Sequence, residues 1–353
     1  MHPLTIRPIA CTTFVAMMRR AVSATVGLGR FFHVLLDRVL AVHRHHEPVW
    51  LPPAAASGGI VLESFAAAAL ALVVATACAQ ARATSVPIPV VAAENFYGDI
   101  AGQIGGPYVK VTSILANPDQ DPHLFEASPS VARAVSTARF VIYNGIDYDP
   151  WMRKLLDAAR STHRQSIVVA DLVGKKNGDN PHIWYRPATM LALARTLSAA
   201  LAADDPSHKA ELTQLLARFE DSLKAIDVEI AEVRQRHAGL SVTATEPIFG
   251  YMFDALGMTV RDQSFQLAVM NNTEPSPSDI AGFESDLKTH RVGLLVYNSQ
   301  ATDAIADHMR ALAEASHVPV VGATETEPAG ESYQQWMLRE LQAVDRALAG
   351  ESH

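Results

Sequence analysis

The chain has 353 residues, of which 49% are hydrophobic and 19% are charged, so it is long enough for two globular domains. From residue 84 onward it has 22 Lys and Arg against 34 Asp and Glu, and this excess of negative charge argues against a nucleic-acid-binding surface. Both cysteines, Cys11 and Cys78, precede residue 84, which excludes a disulfide or thiolate site in the remainder.

The first 83 residues contain two different segments. Residues 1–60 show no clear hydrophobic period, and we interpret them as an extension outside the fold. Residues 61–83 contain the apolar run FAAAALALVVATA followed by small residues, a length typical of a signal peptide and too short to span a bilayer. We therefore expect an exported protein, periplasmic or tethered to the outer face of the membrane, with a buried Ala-rich helix as the alternative. Cys78, in ATAC, is a candidate for lipid attachment.

Beyond residue 84, short apolar runs rich in β-branched residues alternate with helical patterns, which predicts an α/β fold with parallel sheets. The runs form two sets, which are 86–93, 109–115, 138–145 and 165–171, and then 241–246, 292–299 and 317–325.

The segment 205–239 between the two sets predicts one helix of roughly 30 residues, because its apolar residues follow helical spacing. Pro206 suits its first turn and Gly239 suits its end. We expect this helix to connect an N-terminal lobe, 84–204, to a C-terminal lobe, 240–353. A stiff connection of this kind permits only a small closing movement.

Histidines and glutamates lie at or beyond the carboxyl ends of several predicted strands. His123 follows 109–115 and His182 follows 165–171, while Glu246 closes 241–246 and Glu325 and Glu327 close or follow 317–325. That edge is where open α/β sheets bind ligands, and two lobes that face each other are expected to form one crevice between them. Two imidazoles with two carboxylates in this interlobe crevice suit a divalent cation. Single loop histidines are usually solvated and strand-end glutamates often cap helices, so spacing alone leaves both interpretations open.

Several segments resemble the solute-binding proteins of metal ABC importers, the zinc/manganese-type family. They are ENFYGDIAGQIGG, DPHLFEASPS, NPHIWYRP, TEPIFGYMFDALGM and NNTEPSPSDI. The resemblance extends from about residue 86 to residue 350 and thus over both predicted lobes.

The resemblance implies that His123, His182, Glu246 and Glu327 are metal ligands, with Glu325 as the alternate fourth ligand. The family usually has an aspartate at the fourth position, so Glu327 departs from the pattern by one methylene. A ligand set of two histidines and two glutamates is rich in oxygen, which favours Mn²⁺ or Fe²⁺ over Zn²⁺ by ligand type.

These features predict a monomeric binding protein, not an enzyme, that captures Mn²⁺, Zn²⁺ or Fe²⁺ and delivers it to an ABC permease. One alternative is a metal-dependent hydrolase in which Glu246 acts as the general base, although the sequence contains no HExxH motif. A metal-binding adhesin with the same fold is a second alternative.

Overall fold

Two sheets of four parallel strands each form the frame of the computed structural model. The strands are β1 (Ile88–Glu94), β2 (Val109–Leu115), β3 (Phe140–Tyr143), β4 (Gln165–Val168), β5 (Ser241–Ala244), β6 (Thr259–Val260), β7 (Leu295–Asn298) and β8 (Val320–Ala323). Their order is β2-β1-β3-β4 in the first sheet and β6-β5-β7-β8 in the second. The predicted α/β architecture with two parallel sheets is therefore confirmed.

The structure describes residues 86–116, 125, 127–301 and 303–350. The predicted extension, the predicted signal peptide with Cys78, and the candidate ligand His123 lie outside the described residues.

Helices cover the sheets and connect the strands. In the described part of the chain they are α1 (Asn95–Gly105), α2 (Pro129–Thr137), α3 (Pro150–Ala158), α4 (Val169–Leu172), α5 (Pro187–Asp204), α6 (Lys209–His237), α7 (Gly250–Leu256), α8 (Gln263–Met270), α9 (Pro277–Lys288), α10 (Ala304–Ala315) and α11 (Tyr333–Ala349). None of the described helices is both long and apolar enough to cross a membrane.

The sequence misses two details of the strands. The strand predicted over 165–171 ends at Val168, because the residues after it begin the short helix α4. The strand β6 was not predicted, because a two-residue segment is too short to show an alternating pattern.

The long helix α6 follows a 3₁₀ turn at Pro206–His208 and has 29 residues, about 43 Å at 1.5 Å per residue. Leu212, Phe219 and Ile226 on one face are buried. This face packs against α1, α5, α7 and α11, so the helix contacts elements on both sides of the connection.

An aromatic cluster joins the regions around the two sheets into one hydrophobic core. Trp184 packs against Phe96, with ring centroids 4.8 Å apart. Tyr185 contacts Phe249 at 5.1 Å and Trp336 at 5.6 Å. Because each such pair contributes about 0.5–1.5 kcal/mol beyond its buried area, this cluster stabilises the packing of the segment after His182 against α11 and against the segment that follows β5.

Candidate metal centre

Three of the residues predicted from sequence come together in the structure. His182, Glu246 and Glu325 each place one ligand atom within 4.8 Å of the other two, and all three side chains are buried. Glu246 and Glu325 each lie two residues beyond the end of a strand, β5 and β8 respectively. The carboxyl edge of the second sheet thus faces the segment that carries His182.

The side chain of Asn180 contacts both the ring and the backbone of His182. The Asn180 side-chain oxygen lies 2.7 Å from His182 Nδ1 and accepts the His182 backbone N–H at 3.0 Å. His182 Nε2 lies on the other side of the ring, 4.0 Å from Oε1 of Glu325. This is the arrangement in which a histidine ligand donates one ring N–H to a neighbour and presents the other nitrogen to a cation.

Both oxygens of Glu325 accept hydrogen bonds from side chains of other segments. Asn298, at the end of β7, donates its amide to Oε1 at 2.6 Å, and Tyr148 donates its hydroxyl to Oε2 at 2.8 Å. The backbone N–H of Glu325 donates to Oε1 of Gln300 at 2.5 Å. These contacts orient the carboxylate without neutralising it.

A tight turn after β3 positions Tyr148. The Asp149 carboxylate accepts the backbone N–H groups of Asn144 at 2.6 Å and Gly145 at 2.9 Å, while the Asn144 amide donates to the Pro181 carbonyl at 3.0 Å. Burial, followed by the charge of Glu325, raises the pKa of Tyr148 well above its usual value. The phenol therefore stays protonated and acts as a donor to the carboxylate.

The glutamate predicted as the fourth ligand, Glu327, is not a member of the group. Its backbone N–H donates to the Asn95 side-chain oxygen at 3.1 Å, and the Asn95 amide donates to its carbonyl at 2.6 Å. Burial, with the nearby charges of Asp99 and Glu331, raises the pKa of the Glu327 carboxyl to about 9. The alternate residue, Glu325, occupies the place beside His182 and Glu246.

Two carboxylates and one imidazole lie close together in a buried site, and this arrangement favours the binding of a cation. Burying like charges is costly unless an opposite charge compensates them. A divalent ion supplies that charge, and a mixed nitrogen and oxygen donor set is compatible with Mn²⁺, Fe²⁺ or Zn²⁺.

Sequence reasoning did not identify the residues that orient the ligand atoms: Tyr148, Asn180, Asn298 and Gln300. Asn298 lies near the end of the predicted strand 292–299, at the same edge of the sheet as Glu246, and Asn180 precedes His182 by two residues, so both had a positional signal. The turn containing Tyr148 had none, because its contact with Glu325 joins residues 177 positions apart.

Several known proteins resemble this chain in sequence. The family model for the periplasmic zinc-uptake complex component A, ZnuA, matches residues 90–347. The manganese ABC transporter substrate-binding lipoprotein PsaA of Streptococcus mitis is 24% identical over 281 residues, covering 74% of this chain and 89% of that protein.

Two solved structures share the fold. The periplasmic zinc-binding protein TroA from Treponema pallidum has a TM-score of 0.63 at 18% identity, covering 74% of this chain and 99% of that chain. A mutant of the laminin-binding adhesin Lmb from Streptococcus agalactiae has a TM-score of 0.62 at 18% identity, with the same coverage.

Proposed function

Because the chain belongs to the family of the periplasmic zinc-uptake complex component A, we propose that it is exported, captures a divalent transition-metal ion and delivers it to the permease of an ABC importer. The observation that carries this proposal is the buried convergence of His182, Glu246 and Glu325 from separate segments of the fold. The manganese and zinc binding stated for PsaA and TroA supports the class of cargo.

The proposed ligand set is His123, His182, Glu246 and Glu325. His123 enters on the family resemblance alone, since it lies outside the described residues. Glu325 takes the fourth place in preference to Glu327, because its carboxylate lies near His182 and Glu246 and is oriented by two donors. The family consists of solute-binding proteins, which disfavours the alternative in which Glu246 is the general base of a hydrolase.

The cargo is Mn²⁺, Fe²⁺ or Zn²⁺. The two carboxylates favour the harder ions by ligand type, whereas the general order of affinities places Zn²⁺ at least as high as Mn²⁺ in vitro. Selection in the cell then depends on site geometry and on the supply of each metal. Since α6 packs along elements of both lobes, release to the permease involves small displacements of the ligand segments and no wide opening.

The direct test is thermal unfolding of the metal-stripped protein at controlled free concentrations of Mn²⁺ and Zn²⁺. An ion present at one hundred times its Kd stabilises the folded state by about 2.7 kcal/mol. We expect both ions to raise the unfolding midpoint, and His182→Ala to abolish the increase. His163→Ala, at an exposed histidine outside the group, is the matched control and retains the increase. No shift with either ion would refute the proposed site.

Delivery needs a separate test. The loaded protein, added to its permease and ATPase in proteoliposomes, is expected to support ATP-dependent uptake of the metal, and the His182→Ala protein is not. An adhesin with the same fold would bind metal but would give no uptake in this assay.

A further inference from the structure

Asn180 links the two segments that carry His182 and Glu246. Its side-chain oxygen faces His182, and its amide nitrogen donates to the carbonyl of Pro247, the residue directly after Glu246, at 2.6 Å. One short side chain therefore contacts both His182 and the residue next to Glu246.

The direction of the Asn180 amide follows from its partners. The Pro247 carbonyl can only accept a hydrogen bond, so the NH₂ group faces it, and the His182 backbone N–H can only donate, so the oxygen faces His182. An oxygen acceptor 2.7 Å from Nδ1 requires that Nδ1 carry the proton. The lone pair of the imidazole then lies on Nε2, the nitrogen that faces Glu325.

Two residues at the start of α7 contact Asn180 or leave space for its side chain. The Tyr251 hydroxyl donates to the Asn180 backbone carbonyl at 2.8 Å. Gly250 leaves room for the amide, because a Cβ at that position would lie 2.9 Å from Asn180 Nδ2. Both residues belong to the segment that follows Glu246, so this segment provides an acceptor, a donor and the space between them.

We propose that Asn180 is a positioning residue that selects the Nδ1–H tautomer of His182 and at the same time fixes the distance between His182 and Glu246. The ion-binding part of this inference rests on the proposed function. Asn180 contacts no ion itself; it acts through the orientation of two ligands that belong to different lobes. Removal of a residue that forms a hydrogen bond with a metal ligand typically lowers metal affinity by about 10–100-fold.

Two substitutions separate the two roles. Asn180→Asp retains an oxygen acceptor for His182 Nδ1 but places a second, negatively charged oxygen against the Pro247 carbonyl, so it breaks the link to Glu246 and keeps the contact with His182. Asn180→Ala removes both contacts. The matched control is Asn271→Ala, at an exposed helix end where the amide donates to the carbonyl of Leu267.

The experiment combines metal titration with ¹⁵N NMR of histidine-labelled, metal-free protein at mildly alkaline pH, where imidazoles are neutral. His182→Ala identifies the His182 signals. We expect Nδ1–H in the wild type and in Asn180→Asp, and a population of Nε2–H in Asn180→Ala. For Mn²⁺ and Zn²⁺, we expect Kd to rise by about 10–100-fold in both variants and to stay unchanged in Asn271→Ala.

The proposal would be overturned if His182 of the wild type carried its proton on Nε2. It would also be overturned if Asn180→Ala retained both the tautomer and the Kd of the wild type. If the wild type binds neither ion, the proposed function fails, and the tautomer readout still decides the role of Asn180 because it needs no metal. Unfolding midpoints of the metal-free variants show whether each one is folded under the conditions of the titration.

Discussion

Replacing Glu325 by glutamine, beside the same replacement of Glu327, tests which glutamate binds the ion. Glutamine retains the size of the side chain and removes its charge. At Glu325, the glutamine oxygen can still accept the Asn298 amide at the position of Oε1, and the Tyr148 hydroxyl can rotate to accept from the new NH₂ group. The fold around the site is therefore expected to persist.

Glu325→Gln is expected to preserve or raise the stability of the metal-free protein but to weaken metal binding. Without metal, two ionised carboxylates with oxygens no more than 4.8 Å apart, at Glu246 and Glu325, would repel each other by about 3.5 kcal/mol or more at an effective dielectric constant of ~20. We therefore expect Glu325→Gln to leave the metal-free protein as stable as the wild type or to stabilise it. With metal, loss of an anionic ligand is expected to raise Kd by at least about a hundredfold, since loss of an outer hydrogen-bond partner alone costs about 10–100-fold.

The assay is differential scanning calorimetry with Mn²⁺ at one hundred times the wild-type Kd. The ion stabilises the wild type by about 2.7 kcal/mol and a variant with a hundredfold higher Kd by about 0.4 kcal/mol. At roughly 2–4 °C per kcal/mol, the wild-type Tm rises by about 5–11 °C and that of Glu325→Gln by about 1–2 °C.

Glu327→Gln is the internal control. Burial raises the pKa of Glu327 to about 9, so its carboxyl is neutral at pH 7 and glutamine reproduces its shape and charge. We expect the full metal-induced rise in Tm in this variant. A loss of that rise in Glu327→Gln, with the rise retained in Glu325→Gln, would refute the assignment and favour Glu327 as the ligand.

Three other variants probe the fold around the site. Burial raises the pKa of Glu340 from its usual 4.5 to about 7, so the folded state retains a proton that the unfolded chain releases and the free energy of unfolding falls as pH rises between these values. Urea titrations from about pH 5 to 8 should show that the free energy of unfolding falls less with pH in Glu340→Gln than in the wild type, by up to about 3 kcal/mol over this range. The same fall in both proteins would contradict the burial argument. Tyr185→Phe removes the 2.7 Å hydrogen bond to the Thr324 carbonyl and should lower the free energy of unfolding by about 1–3 kcal/mol in denaturant titrations. An unchanged free energy of unfolding would mean that water replaces the hydroxyl as the donor to this carbonyl. Gly250→Ala should raise the Mn²⁺ Kd about tenfold by displacing the Asn180 amide, although alanine favours the helix; an unchanged Kd in calorimetric titration would show that the segment adjusts.

The architecture was predictable from local pattern. Apolar runs with β-branched residues predict seven of the eight strands, and the helical spacing of apolar residues predicts α6 to within a few residues at either end. These signals are local because burial of a strand or of a helix face requires apolar residues at fixed intervals along the chain. The resemblance to the metal-importer family, now confirmed by the family model, extends the same information to function.

The arrangement of side chains at the site depended on contacts between distant segments. Glu325 and Glu327 are two residues apart in an irregular segment after β8, and sequence spacing does not distinguish them. Asn95 binds the backbone of Glu327 across 232 positions, while Tyr148 holds Glu325 across 177. The sequence by itself therefore determined the sheets, the connecting helix and the edge at which the candidate ligands lie. Only the tertiary structure decided which glutamate faces His182, because hydrogen bonds between segments far apart in the chain orient these carboxylates and leave no local pattern.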